Sequence, residues 1–152
     1  MVEAGGGDVV AIDHEAVLPN AREMARSLGL QDHLTARAGN YFEVLEPHAD
    51  RVVLANVLHL ESEADAARLI RHHAQALEPD GELVIVDVFG GDGLEATLFE
   101  GVYQLHLGMR TGRGRAHSVE RLGSWCAEAG LGQQRVHPLV QSGMGALVCR
   151  AR

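Results

Sequence analysis

The sequence predicts an α/β fold whose sheet is mostly parallel and carries an antiparallel edge at the carboxyl-terminal end. Three observations lead there. Short β-branched apolar runs alternate with stretches whose apolar residues recur at helical spacing. One of those runs, Arg51–Leu58 (RVVLANVL), is nearly all apolar, as a strand buried on both faces should be. The last two runs follow each other with no helix between them, which is how antiparallel neighbours are joined.

Taken in order, Val9–Ile12 is a short β-rich strand stopped by Asp13. Glu15–Leu28 reads as a helix, with Val17, Ala21, Met24, Ala25 and Leu28 on one face and Gly29 as its stop. Leu34–Ala38 is a weaker strand ending at Gly39, and Arg51–Leu58 is the next strand. Ser62 is the N-cap candidate of a second helix, with Asp65 at the capping-box position and Ala66, Leu69, Ile70, His73, Ala74 and Leu77 as its inner stripe. Pro79-Asp80-Gly81 marks a turn, and Leu83–Val88 (LVIVDV) is the clearest strand in the chain. A helical stretch over Leu94–Gly108, a flexible Arg110–Arg115 segment and a helix running from a Ser118 cap to Gly130 come next. Gln134–Val140 and Ala146–Arg150 close the chain as an antiparallel pair around Gln141–Gly145. With no repeat and no low-complexity linker, residues 1–152 read as a single domain.

Composition narrows the function. The chain has 152 residues, 46% apolar and 22% charged, an ordinary globular balance with enough length to bury a core. Asp and Glu number 21 against 13 basic residues, a net charge of −8, so nucleic acid and anionic membranes are poor partners. Lysine is absent, a bias that fits a GC-rich genome. Cys126 and Cys149 match no metal or redox spacing and sit among apolar neighbours, as buried free thiols do. No apolar run reaches membrane-spanning length and the first residues show no signal-peptide pattern, so a cytoplasmic location is expected. No metal is expected either: His72 and His73 are adjacent in a helix and face different ways.

Open α/β sheets bind ligands at the carboxyl ends of their strands. The strand ends here carry Gly5-Gly6-Gly7 with Asp13, then Gly39-Asn40, then Asn56 with His59, and finally Asp87. This set resembles the class I S-adenosylmethionine-dependent methyltransferases, most closely the small-molecule O-methyltransferases. Val2–Gly7 is similar to the family's acidic-x-glycine-rich first motif, and Val10–Asp13 to its second strand, whose terminal acid binds the ribose hydroxyls. Gly39-Asn40-Tyr41-Phe42 is similar to the Gly-Asp-Phe-Phe stretch beside the adenine. Leu54–His59 is similar to the fourth strand, and Leu77–Asp87 to an "L-x-P-x-G-x-L-x-x-x-[DE]" segment. The resemblance implies a Rossmann-like methyltransferase sheet that binds S-adenosyl-L-methionine through Gly5, Gly6, Gly7, Asp13, Asn40, Tyr41, Phe42 and Asn56. It implies methyl transfer to a hydroxyl of a small aromatic or polyketide-like molecule, and it leaves a homodimer open.

The chemistry this requires is the alignment of an oxygen with an activated methyl and removal of its proton. The resemblance assigns the base to His59 and the acid that orients it to Asp87; the residue-level alternative for His59 is a histidine capping a buried strand end. Tyr41 and Phe42 read equally as core. Arg110–Arg115 reads as a solvated Gly-Arg loop.

Departures from the family pattern are specific. Asn40 stands where an Asp is usual. Leu60-Glu61 stands where an acid-Trp pair often follows the base, and a second flanking Glu expected near Arg115-Ala116 is missing. Only Asp8 separates Gly7 from Val9, where the family has a glycine loop and a whole helix between its first two strands. Parallel neighbours need a crossover of about a dozen residues, so the first strand and its helix are truncated. In a family order of 3-2-1-4-5-7-6, this leaves a gap, a re-closed sheet pairing strands two and four, or residues 1–4 folded back antiparallel onto 9–12, the favoured outcome. Two further functional readings stand beside the enzyme: a non-catalytic, truncated methyltransferase-like binding module, and another reaction, such as hydroxylation, on the same scaffold.

Overall fold

The structure, a computed structural model, describes residues 7–43, 48–90, 98–139 and 144–151. It divides into two compact units, Met1–Glu43 and Val44–Arg152.

The first unit is a strand–helix–strand crossover. Strand β1 (Val9–Asp13) pairs in parallel with β2 (Leu34–Ala38), in register from Val9 opposite Leu34 to Asp13 opposite Ala38. Helix α1 (Leu18–Ser27) connects them. It begins three residues later than the sequence suggests because Pro19 occupies its first turn, where a missing N–H costs nothing and φ is already helical. Residues 15–17 form a turn instead, closed by a bond from the Val17 N–H to the His14 carbonyl (2.8 Å). Gly29, at φ +70°, ends the helix as expected. The inner face is corrected: Leu18 and Ala25 are buried, whereas Val17, Met24 and Leu28 are exposed.

The second unit holds a four-stranded sheet in the order β3-β4-β6-β5. Strand β3 (Ala49–Ala55) runs parallel to β4 (Leu77–Val88), β4 antiparallel to β6 (Met144–Ala151), and β6 antiparallel to β5 (Leu131–Pro138). The antiparallel edge is therefore where the sequence put it. Helix α2 (Glu63–Ala74) links β3 to β4, α3 (Leu98–Thr111) follows β4, and α4 (Val119–Glu128) leads into β5. Ser62 caps α2 by accepting the Asp65 N–H (3.2 Å) and donating to the Asp65 carboxylate (2.9 Å). Ser118 caps α4 in the same way, accepting the Arg121 N–H (3.2 Å).

Three expectations change here. Strand β3 is covered on one face only: Val52 and Leu54 are buried while Val53 is exposed, and the strand is an edge of its sheet. It stops at Ala55 because Asn56 turns left-handed (φ 55°) and Leu58–Leu60 wind into a 3-10 turn. Pro79-Asp80-Gly81 does not divide a helix from a strand. It is a kink within β4, with Asp80 at φ 63° and a register shift between Ala49 and Arg51 on the partner. Helix α3 carries on to Thr111, so Arg110 is helical.

The core of the second unit is built from Leu69 and Ile70 of α2, Leu83 and Ile85 of β4, Leu122 and Cys126 of α4, and Leu147 and Cys149 of β6, all fully buried. Both cysteines are free thiols, and a hydrogen bond to Cys149, reinforced by burial, holds the Cys126 thiol far above the usual range. Among the described residues the strands form two sheets, β1-β2 and β3-β4-β6-β5, and no strand of one pairs with a strand of the other. In the family order given above, these correspond to 3-2 and 4-5-7-6, and no strand one is found among the described residues. The favoured fold-back of residues 1–4 lies outside the described residues.

Candidate active site

In the second unit, the carboxyl ends of β3 and β4 bring together residues 28 apart in sequence. The Asn56 N–H donates to the Val86 carbonyl (2.8 Å), keeping the chain against β4 for one residue past β3. The 3-10 turn then delivers His59 onto Asp87. His59 Nδ1 lies 2.5 Å from Asp87 Oδ1, and the His59 backbone N–H donates to Asp87 Oδ2 (3.3 Å). Asp87 Oδ1 also accepts the Val88 N–H (2.8 Å). Both side chains are buried, His59 at 8% residue exposure and Asp87 at 2%.

A carboxylate only accepts, so Nδ1 of His59 is the donor and carries the ring proton. That leaves the Nε2 lone pair as the ring's acceptor. The arrangement can take a proton at Nε2 and support the resulting cation through Asp87.

Two residues near this pair were not singled out from the sequence. Tyr103, on α3, sets its ring edge-on to His59 with centroids 5.8 Å apart. Burial and then the Asp87 charge raise its phenol above the usual range. His117 is buried, donates from Nε2 to the Leu58 carbonyl (3.1 Å) and packs edge-on to Trp125 (5.2 Å). Burial lowers its pKa, overriding the bond to Leu58 and the charges of Asp87 and Glu63. A polar residue directly before a cap serine was the available signal, but nothing local marks His117 as buried. The Gly-Arg segment is not simply solvated: Arg113 pairs with Glu61 (3.0 Å), and Arg115 and Arg121 both pair with Glu63 (2.9 and 3.0 Å).

In the first unit, Asp13 ends β1 with its side chain exposed, and its Oδ1 accepts the His14 N–H (2.7 Å). The Gly39 N–H donates to the Asp13 carbonyl (3.1 Å), which sets Asn40 beside it at the end of β2. Asn40 Oδ1 accepts the Phe42 N–H (3.0 Å), making a turn in which the half-buried Tyr41 and Phe42 rings meet tilted at 47°, with centroids 5.1 Å apart. A Cβ on Gly39 would stand 3.0 Å from Ile12 Cγ2, so the strand end is tight at that point. Gly7 is exposed with open space around its Cα, while Gly5 and Gly6 lie outside the described residues.

Residues 6–130 match the family described as the O-methyltransferase domain. The chain belongs to that family. Within it, the O-methyltransferase domain is 32% identical over 76 residues to the mitomycin biosynthesis 6-O-methyltransferase of Streptomyces lavendulae, covering 50% of this chain and 22% of that protein. It is 39% identical over 67 residues to the aclacinomycin 10-hydroxylase of Streptomyces purpurascens, covering 44% of this chain and 18% of that one. Among solved structures, an O-methyltransferase family 2 protein from Planctomyces limnophilus in complex with apigenin superposes with a TM-score of 0.88 and 30% identity. That match covers 95% of this chain and 43% of the other. The domain thus spans less than half the length of the relatives it matches.

Proposed function

We propose that the chain transfers a methyl group from S-adenosyl-L-methionine to a hydroxyl of a small aromatic or polyketide-like molecule, with His59 as general base. The observation that carries this is the buried His59–Asp87 pair, with the ring proton held on Nδ1 and Nε2 left as acceptor. S-adenosylmethionine, when bound, supplies a methyl already activated on a sulfonium. His59 then removes the hydroxyl proton as the oxygen becomes nucleophilic, and Asp87 holds the ring and stabilises its cationic form.

The residues present fit this cofactor. Asp13 offers an exposed, oriented carboxylate to a vicinal diol, Asn40 an amide to a purine edge, and Tyr41 and Phe42 aromatic surface. The resemblance adds Asn56, exposed just past the end of β3, and Gly5, Gly6 and Gly7 to the residues proposed for the cofactor. The same proposal has the chain acting in the cytoplasm; sedimentation equilibrium decides whether it forms a homodimer.

Titration with labelled S-adenosylmethionine, followed by turnover on a panel of phenolic acceptors, tests the proposal. His59→Ala should lose about 10²–10⁴-fold in rate with donor binding intact. Asp87→Asn should lose less, and the double variant should be little worse than His59→Ala, because residues that act as one unit are non-additive. Binding without turnover would favour the non-catalytic module. A hydroxylated product would favour the reaction named for the aclacinomycin relative.

A further inference from the structure

We propose that the loop of residues 112–117 is a clamp that positions His59, and that Arg113 is a positioning residue acting through Glu61. The inference rests on His59 being the base.

The turn that carries His59 ends at Glu61, whose side chain is buried to 1% exposure. A carboxylate this deep is tolerable only if paired. Arg113, 57% exposed, reaches in from the surface so that Nη2 lies 3.0 Å from Oε2 and 3.2 Å from Oε1. One guanidinium nitrogen therefore hydrogen-bonds Oε1 and lies at ion-pair distance from Oε2 of a group two residues from the base.

The neighbouring backbone lies directly on the same turn. A Cβ on Gly114 would stand 2.5 Å from the His59 carbonyl oxygen, closer than real side chains come, so only glycine lets the loop sit there. Three residues on, His117 donates to the Leu58 carbonyl (3.1 Å), which also accepts the Glu61 N–H (3.1 Å). Arg113, Gly114 and His117 thus meet three parts of the turn: the side chain two residues after the base, the carbonyl of the base and the carbonyl before it.

The loop is itself anchored. Thr111 Oγ1 accepts the Gly114 N–H (2.6 Å) while donating to the Leu107 carbonyl (2.8 Å), and Gln104 bonds both ways with the Ala116 backbone (3.1 and 3.2 Å). These contacts tie the loop to α3, the helix that carries Tyr103. The His117 carbonyl accepts the Gly90 N–H (3.0 Å), and a Cβ on Gly90 would stand 2.7 Å from the Ala116 carbonyl. Gly90 lies three residues past Asp87, so one loop braces the chain on both members of the pair.

The experiment reads the proton shared by His59 and Asp87. Its NMR resonance, far downfield of the amides, is assigned by its disappearance in His59→Ala. Arg113→Ala should broaden or erase it and lower kcat by about 10- to 100-fold, the scale of a small misplacement of a catalytic group, with donor affinity unchanged. Gly114→Ala should do the same without altering any charge. Arg113→Lys should fall between wild type and Arg113→Ala, because it keeps the charge beside Glu61 but carries it as a strongly hydrated ammonium on a flexible stem in place of the planar guanidinium.

If Arg113→Ala does not fold, the other two variants carry the test. A wild-type resonance in both Arg113→Lys and Gly114→Ala overturns the clamp and leaves the methyl-transfer reading standing. A wild-type chain that neither binds donor nor turns over overturns that reading instead, and the resonance still reports on the clamp.

Discussion

The two units present their strand ends in opposite ways. In the second, the acid at the end of the central strand is buried, receives three hydrogen bonds and lies over a core of fully buried side chains. In the first, the acid at the end of β1 is exposed, and the described core amounts to Leu18 and Ala25. Met24 and Leu28 there are 61% and 62% exposed, and Val9 and Val10 of β1 are exposed as well. A two-stranded sheet with one helix is marginal alone, whereas four strands covered by helices are not. The comparison teaches that the His59–Asp87 pair is preassembled by packing, while the groups proposed for the ribose and adenine stand on a unit with little described core of its own.

Hydrogen exchange offers the largest test of that contrast. Amides of β1 and β2 should exchange about 10³-fold faster than those of β4 and β6, since local opening energies range from near zero up to the global value. Equal protection would remove the distinction. Truncation sharpens it: Leu69→Ala should cost about 2–5 kcal/mol in urea unfolding. Met24→Ala, at an exposed apolar site, should stay within about 0.5 kcal/mol.

The two acids should separate next. Asp13→Ala should weaken S-adenosylmethionine by about 10- to 100-fold in calorimetry without moving the melting temperature. Asp87→Ala should destabilise the fold itself, by about 1–3 kcal/mol for each buried donor it strands. Unchanged affinity in Asp13→Ala would remove that residue from the site.

The smallest effect belongs to His117, which faces the Leu58 carbonyl and the charges of Asp87, Glu63 and Arg115. Its pKa in the fold lies below the ordinary 6.5, so the folded state binds fewer protons than the unfolded chain. Its contribution is full above 6.5 and declines as pH falls from there through the folded value. His117→Gln should flatten that limb of the stability profile, measured as urea midpoints across the acid range.

Much of this was legible from local pattern. The caps at Ser62 and Ser118, the antiparallel pair at the carboxyl end, and the ordered strand-end residues Asp13, Gly39-Asn40, His59 and Asp87 could each be read from a few neighbouring letters, because capping, alternation and turn formation act over one or two turns of chain. The start of α1 was misread for a local reason as well: Pro19 sets it, and apolar spacing alone ran past that proline.

Other features had no local sign. Val53 looks as buried as Val52 in the sequence, and only the position of β3 at the sheet edge exposes one of them. Arg113 looks like any charge in a glycine-rich loop until Glu61, 52 residues away, is buried against it. His59 and Asp87, 28 residues apart, show no sign of each other until the fold sets Asp87 against Nδ1. The sequence by itself determined which residues form strands, helices and caps, and which polar groups stand at strand ends, because those choices are settled by neighbours along the chain. Only the tertiary structure decided which charges are buried, which pairs meet and which glycine must stay a glycine. Burial and close approach are properties of segments brought together across the chain, and no single segment encodes them.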